Sequence, residues 1–456
     1  MYDVIIIGGG PGGYAAAIRA AQLTAKVALV EADTLGGTCV NLGCIPVKVW
    51  LRAADTLRRI QGASDFGIQA KVDGIDFQTI VDRKNGVSSD IRMGMEALLG
   101  NHGVDVIKGR AIFKSPKKID VKGIVYQAKN YILATGSRMA LPDIPGLEDA
   151  LLTTDQAFDL QKIPSSVLIY GAGPVEVEMA SIFIHFGSKV CLAAQSRRIL
   201  PREDPDSSQR LAQVLREDGL KLSLGQKLTS VEPEGNGFTC SLTGSKDTAV
   251  TVERVLCAPR IPNTENLGLD TAGVLLKEDR SIQVDDHLQT SAQGIYAIGD
   301  AAGGTLQSHA ASAMGITAAQ NIMGLSKPFP FNLVPRGVWS FPEVASVGLT
   351  EEEAEDLDLD VTVGEFPYSI NGLAMAVNEI KGSVKVVSDD QYGKILGVHI
   401  VGPNANELIG EAVVAMQFEY TIAELASGIR VHPTFSENMV DAARDAEGWA
   451  LYLPKR

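Results

Sequence analysis

Two stretches of the chain carry the same alternation of apolar and glycine-rich segments. Residues 2–8, YDVIIIG, form a short apolar run rich in β-branched residues, which predicts a buried strand. GGGPGGYAAAIRAAQL follows, a glycine-rich turn running into an alanine-rich helix, and then KVALVE returns to strand character. This is a βαβ unit. The order recurs in SVLIYG, GAGPVEVEMASIFIHFG and KVCLAA, so the pattern predicts two dinucleotide folds. Between them, DIPGLEDALLTTDQAFDLQKIPSS carries turn signals and reads as a passage. Residues 281–300 return to strand character, ending SAQGIYAIGD. From about Val338 the texture changes: SVKVVSD, KILGVHIVG and the periodic ELIGEAVVAMQF predict a third, mixed α+β domain.

A length of 456 residues agrees with two or three cores. The hydrophobic fraction of 45% is that of a globular protein. A formal net charge of −14 argues against a nucleic-acid surface and offers no basic patch to a membrane. The N-terminus runs straight into a strand without a basic leader, and no apolar run is long enough to span a bilayer, so a cytoplasmic protein without membrane insertion is expected. The five cysteines are an odd number and do not read as a secreted disulfide framework. Cys191, Cys240 and Cys257 lie in strand-like stretches and read as small buried hydrophobes, whereas Cys39 and Cys44 share a glycine-rich segment.

Chemistry enters through four motifs. Gly8, Gly10 and Gly13 make a GxGxxG between a strand and a helix, with Glu31 ending the next strand. Gly8 permits the tight turn, Gly10 lets backbone approach a pyrophosphate, and Gly13 lets helix and strand pack closely. The helix N-terminus favours phosphate charge, and Glu31 can accept from a ribose diol. GGTCVNLGCIPVK sets Cys39 and Cys44 around four residues, a spacing that closes a disulfide if the helix start is distorted. Metal ligation competes, but two further soft ligands are not apparent. Lys48 follows the pair; a cation there stabilises a thiolate, although a lone lysine is more often a solvated one. Asp300 ends a strand before AAGG, where it could bind a polyol, yet on spacing alone a helix cap is the plainer reading. In RVHPTFSE, Glu437 can hold one imidazole nitrogen of His432 and make the other a better base, if Pro433 turns the chain back.

Together, in this order, the segments resemble the class I pyridine nucleotide–disulfide oxidoreductases along the whole chain. Within that class the redox segment, TTDQAFDL, KILGVHIVGPNANELIGEAVVAM and VHPTFSE look most like the dihydrolipoamide dehydrogenase subgroup. The resemblance implies an α/β protein with two Rossmann-like dinucleotide-binding domains, one for FAD and one for NAD(P), plus a C-terminal α+β dimerisation domain. FAD would take residues 1–145 and 272–337, NAD or NADP residues 146–271, and the dimer interface residues 338–456. FAD would lie against Gly8, Gly10, Gly13, Glu31, Thr38, Lys48, Thr135, Gly136 and Asp300, with Leu306, His309 and Ala310 close by. The nicotinamide nucleotide would meet Gly171, Gly173, Glu178, Ala194, Arg197 and Arg260. Cys39 would be the thiol that meets substrate and Cys44 the one facing the flavin. Glu178 would pair with Lys48. His432, oriented by Glu437, would be the base and would come from the other subunit of a homodimer. The implied substrate is dihydrolipoamide on a lipoylated carrier protein.

Six positions depart from the family pattern. Glu176 stands at the third glycine of GAGPVEVE, Pro174 replaces Tyr or Val, Ala194 replaces the ribose-binding Glu, and Pro259 replaces a glycine in CAPRIPN. Val47 replaces Ser, and Arg430 replaces the first histidine of HAHPT. The first four touch the nicotinamide side, where Ala194 followed by Gln195, Ser196 and Arg197 weakens discrimination against NADP. Two other functions therefore stay open: an NADPH-dependent disulfide or metal reductase, and a binding component that has lost nicotinamide turnover. The former lacks an extra C-terminal Cys pair or metal-binding N-terminal domain, and the latter is opposed by the intact Cys39, Cys44, Lys48, Glu178, His432 and Glu437.

Overall fold

The computed structural model describes residues 1–455. Its first sheet has strand Tyr2–Ile7 at the centre, flanked in parallel by Val27–Glu31 and Ile124–Leu133. Asp105–Lys108 extends it on one side and Ile295–Ala297 pairs in parallel with Ile124–Leu133 on the other. The middle strands are buried on both faces, as parallel sheets under helices must be, which explains their unbroken apolar runs. Residues 281–300 are less regular than their composition predicts. Only Ile295–Ala297 is a strand, and isolated bridges such as Val284 to Thr290 occupy the rest.

Two helices from distant parts of the chain lock together beside this sheet. A Cβ on Gly12, in helix Pro11–Gln22, would come within 2.8 Å of the Ala311 carbonyl, and one on Gly315, in helix Ser308–Ile322, within 2.3 Å of the Gly12 carbonyl. The backbones touch because neither glycine carries a side chain. This contact brings residues near 308 beside the first glycine turn.

The second sheet is parallel, in the order Lys221–Leu224, Lys189–Ala194, Ser166–Tyr170, Arg254–Leu256 and Leu151–Leu152. Helix Pro174–His185 follows its central strand. A three-stranded antiparallel sheet over residues 227–252 hangs from it. The chain enters and leaves this unit through a two-stranded ribbon, Ser137–Met139 against Arg260–Pro262. The third sheet is antiparallel and begins at Arg336, with strands Glu343–Gly348, Ile395–Gly402, Ser383–Asp389 and Val361–Pro367. Helices Ala405–Gln417 and Glu437–Ala446 share its apolar core.

Candidate active site

The three units surround one open cavity of about 1560 Å³. Its floor is the first glycine turn. Gly8, at φ 110°, could not carry a Cβ, which would lie 2.2 Å from the Ala134 carbonyl. Gly13 faces away from the cavity, and its Cβ would lie 1.8 Å from the Gly8 carbonyl, so here the missing side chain serves helix–strand packing. Gly10 is different. A Cβ on it would meet nothing nearer than Gly37 Cα at 3.9 Å, so Gly10 leaves open space above a helix N-terminus that no side chain caps. Such a cradle accepts a pyrophosphate on backbone N–H groups. At its edge Glu31 is fixed by the Gly9 N–H at 2.6 Å and the Asp33 N–H at 2.8 Å. On the opposite wall Asp300 accepts from the Ser137 hydroxyl rather than capping its own turn. These residues fit FAD: open backbone for phosphate and a carboxylate for polyol.

The cysteines sit beyond this cradle. Cys39 belongs to the short helix Gly37–Asn41, and Cys44 opens the helix Cys44–Gln61. The break between the two helices at Leu42 and Gly43 is the distortion that the spacing demands. Both thiols are half-buried and unbonded, and they are close enough to hydrogen-bond to each other. The bond from Cys39 holds the Cys44 thiol down to about 6, helped by the Ser308 hydroxyl at 3.3 Å and the Lys48 charge, against the opposing effect of burial. The thiol of Cys39 is in turn pushed up by its bond with Cys44 and by burial. Of the two thiols, Cys44 is the one whose surroundings favour the charged form.

Lys48 lies one turn after Cys44, on the same helix face. Its Nζ is 3.4 Å from both carboxylate oxygens of buried Glu178 and 3.6 Å from the centre of the Trp339 ring. Glu178 also accepts the Trp339 N–H at 3.0 Å. Val47 lines the cavity as well and packs into an apolar cluster with Trp50 and Phe158. Thr38, Thr135, Gly136, Leu306 and His309 line the cavity, with Thr135 donating to the Asn263 carbonyl and His309 Nε2 bonded to the Pro335 carbonyl. Ala310 is buried just behind the wall.

Arg260, a residue that the resemblance assigns to the nicotinamide nucleotide, lines the cavity and is held towards Asp300. Its guanidinium donates to Ser137 Oγ at 2.8 Å and to Thr38 Oγ1 at 3.2 Å, and its Nε is 4.0 Å from Asp300. The ribbon that pairs Arg260 with Met139 forces this direction. Around the second glycine turn, Gly173 lines the cavity but Gly171 does not. Pro174 occupies the first helical position, where a missing N–H costs nothing. Ala194 is buried at the end of its strand and Arg197 is exposed, both outside the cavity lining. Pro259 keeps its carbonyl in use, accepting from Ala140.

His432 and Glu437 form the expected pair. His432 Nδ1 donates to Glu437 Oε1 at 2.9 Å, and the Thr434 N–H fixes Oε2 at 2.8 Å. The imidazole is exposed and lines no part of the cavity of its own chain. Arg430 pairs with Glu411. Three contributors escaped the sequence reading: Ser308, Ser137 and Trp339. Neither serine sits in a motif, and Trp339 becomes visible only once strand Arg336–Val338 is seen to run past Glu178.

Residues 2–315 match the pyridine nucleotide-disulphide oxidoreductase family, and residues 334–443 match that family's dimerisation domain. A dihydrolipoyl dehydrogenase of Thermus scotoductus is 40% identical, over 100% of this chain and 99% of its own. One of Bacillus subtilis is 37% identical over 99% of both. Among solved structures, LpdA from Mycobacterium tuberculosis superposes with a TM-score of 0.89 at 28% identity, covering 97% of this chain and 99% of its own. No helix among the described residues is long and apolar enough to cross a membrane. By sequence, fold and the flavin-type cradle beside a cysteine pair, this chain belongs to the pyridine nucleotide-disulphide oxidoreductases, FAD-dependent enzymes that pass electrons between a sulfur group and NAD(P).

Proposed function

We propose that the chain is a dihydrolipoyl dehydrogenase that reoxidises dihydrolipoamide on a lipoylated carrier protein, working as a homodimer with sites shared between chains. The observation that carries this reading is the Cys44 thiol, held low between Cys39, Ser308 and Lys48 in a cavity continuous with the Gly8–Gly10 cradle. Residues 1–145 and 272–337 form the flavin domain in this reading, 146–271 the nicotinamide domain, and 338–456 the dimer interface.

When bound, FAD supplies a two-electron relay between the thiols and a nicotinamide. The residues do the rest. With the pair oxidised, a substrate thiol gives its proton to Nε2 of the partner subunit's His432 and the thiolate attacks Cys39 Sγ. The Cys39–Cys44 bond breaks, a substrate–Cys39 disulfide forms, and Cys44 leaves as a thiolate. The second substrate thiol then displaces Cys39, whose sulfur takes up the proton that thiol gives, forming the cyclic disulfide of lipoamide. Two electrons now reside in the pair. Glu437 holds the imidazole so that Nε2 faces the substrate, and the exposure of His432 within one chain fits a base supplied across the interface. Lys48, fixed by Glu178, stabilises the negative charge that the Cys44 thiolate carries.

The test is dihydrolipoamide-dependent reduction of NAD and of NADP by the flavin-loaded protein. Turnover is expected, falling on the order of a hundredfold in His432→Gln with flavin content unchanged. A mixed dimer of His432→Gln and Cys39→Ser chains is expected to regain one working site. Failure of dihydrolipoamide to reduce the bound flavin, or an inactive mixed dimer with exchange verified, overturns the reading.

A further inference from the structure

Glu176 does not point to solvent from the first turn of its helix. It is buried, and it folds back over the second glycine turn. A Cβ built on Gly171 would lie 2.8 Å from Glu176 Oε1, and one built on Gly173 would lie 2.9 Å from Oε2. The carboxylate therefore spans both glycines of GAGPVE. The backbone N–H groups of Glu176 itself, Ala258 and Gly173 lie on the side of its oxygens and favour the charged form, against the larger effect of burial. In the first fold the equivalent ground is bare: Gly10 leaves open space, and Gly13, at the position of Glu176, brings no side chain. The two glycine turns thus differ in one respect that matters for a dinucleotide. The first leaves its helix end open to a ligand, and the second is covered by its own side chain.

A glycine turn at a helix N-terminus binds pyrophosphate through free N–H donors, positive helix-end charge and backbone close enough to touch. Glu176 takes all three. It covers the donors, brings a carboxylate to the positive end and fills the space that a third glycine would leave empty. Ionised, it also repels a diphosphate; neutral, as burial favours, it still obstructs one. Ala194 compounds the effect, since no acid remains at the strand end to hold a ribose diol.

We propose that Glu176 is an intramolecular stand-in for the pyrophosphate of the nicotinamide nucleotide, and that the nucleotide binds only by displacing it. This rests on reading the second fold as the nicotinamide site. Glu176 then limits nucleotide entry: any dinucleotide must push the carboxylate off Gly171 and Gly173 before it can make its own contacts. The chain reduces or oxidises nicotinamide through a site whose resting form is closed.

The experiment is calorimetric titration of the flavin-loaded protein with NADH and NADPH, in the natural chain and in Glu176→Gly. Removing the side chain is expected to tighten NADH binding by at least about tenfold, or about 1.4 kcal/mol. If glycine at this helix position lowers flavin content, Glu176→Ala replaces it with the same expectation. Unchanged or weaker binding in a variant with full flavin content overturns the proposal. Flavin reduction by dihydrolipoamide, measured on the same samples without nucleotide, reports on the proposed function separately. Tightened binding without that reduction supports the role of Glu176 while removing the substrate assignment, and reduction without tightening does the reverse.

Discussion

Lys48 Nζ stands 3.4 Å from both carboxylate oxygens of Glu178, a pair that ties the helix of the redox cysteines to the helix of the second dinucleotide fold. Its strength is modest. The lysine is one-third exposed, and such pairs contribute at most about 1 kcal/mol to stability. Its chemical effect is larger, because Lys48 is among the groups that hold the Cys44 thiol down.

Lys48→Met is therefore expected to fold, with a melting temperature within a few degrees of the natural chain, roughly the shift that 1 kcal/mol produces in a protein of this size. Flavin reduction by dihydrolipoamide, followed by stopped-flow absorbance, is expected to slow by about tenfold or more, as for lost stabilisation of a developing charge. Equal losses of stability and rate would show that the contact only holds the two domains together.

The Cys44 thiol, held down to about 6, yields a second prediction. Below that pH the reduced pair is protonated at Cys44, and above it Cys44 is a thiolate. The long-wavelength band that a thiolate gives against oxidised flavin is thus expected to rise as pH passes upward through about 6. Cys44→Ser removes the band. Cys39→Ala deletes the largest cause of the shift and moves the midpoint up, toward or beyond the ordinary thiol value of about 8.5. A midpoint indifferent to Cys39→Ala would break the link between the two thiols. The buried cysteines fit their plainer reading: burial pushes Cys240 up to about 12 and Cys257 up to about 11, so neither competes as a thiolate.

How much of this was legible beforehand follows from where the signals lie. The two βαβ units were visible because parallel strands buried on both faces are continuous apolar runs, and glycine turns punctuate them. Glu178 and Lys48, 130 residues apart, were paired only by resemblance, since nothing local joins them. The partners of Arg260 were not legible, because they depend on the ribbon with Ser137–Met139, a pairing between distant segments. Helix Phe77–Asn101 gave little warning. It buries only Val81, Lys84, Ser88, Met95 and Leu99 and carries Gly86 and Gly94, so its apolar period is faint. Glu176 was seen as an oddity in a motif, but its fold-back onto Gly171 and Gly173 needed coordinates.

The sharpest separation of roles lies between Gly10 and Gly13, three residues apart in one motif. At Gly13 a methyl group would sit 1.8 Å from a backbone oxygen of the tight turn, which cannot move away without opening the strand–helix packing. At Gly10, with φ of −73°, the backbone suits alanine, and the methyl group would meet only Gly37 Cα at 3.9 Å. The empty protein should tolerate Gly10→Ala, with a melting temperature close to that of the natural apoprotein. Its methyl group would project into the cradle, so flavin affinity is expected to fall by about tenfold or more, the scale of one well-placed lost contact. Gly13→Ala is expected to lose both: a destabilisation of about 1–3 kcal/mol from overpacking, and with it the flavin. Melting curves of apoprotein and holoprotein, together with flavin retained after gel filtration, distinguish the two. If Gly10→Ala binds FAD as the natural chain does, the pyrophosphate does not rest on this turn, and the cradle must lie elsewhere in the cavity.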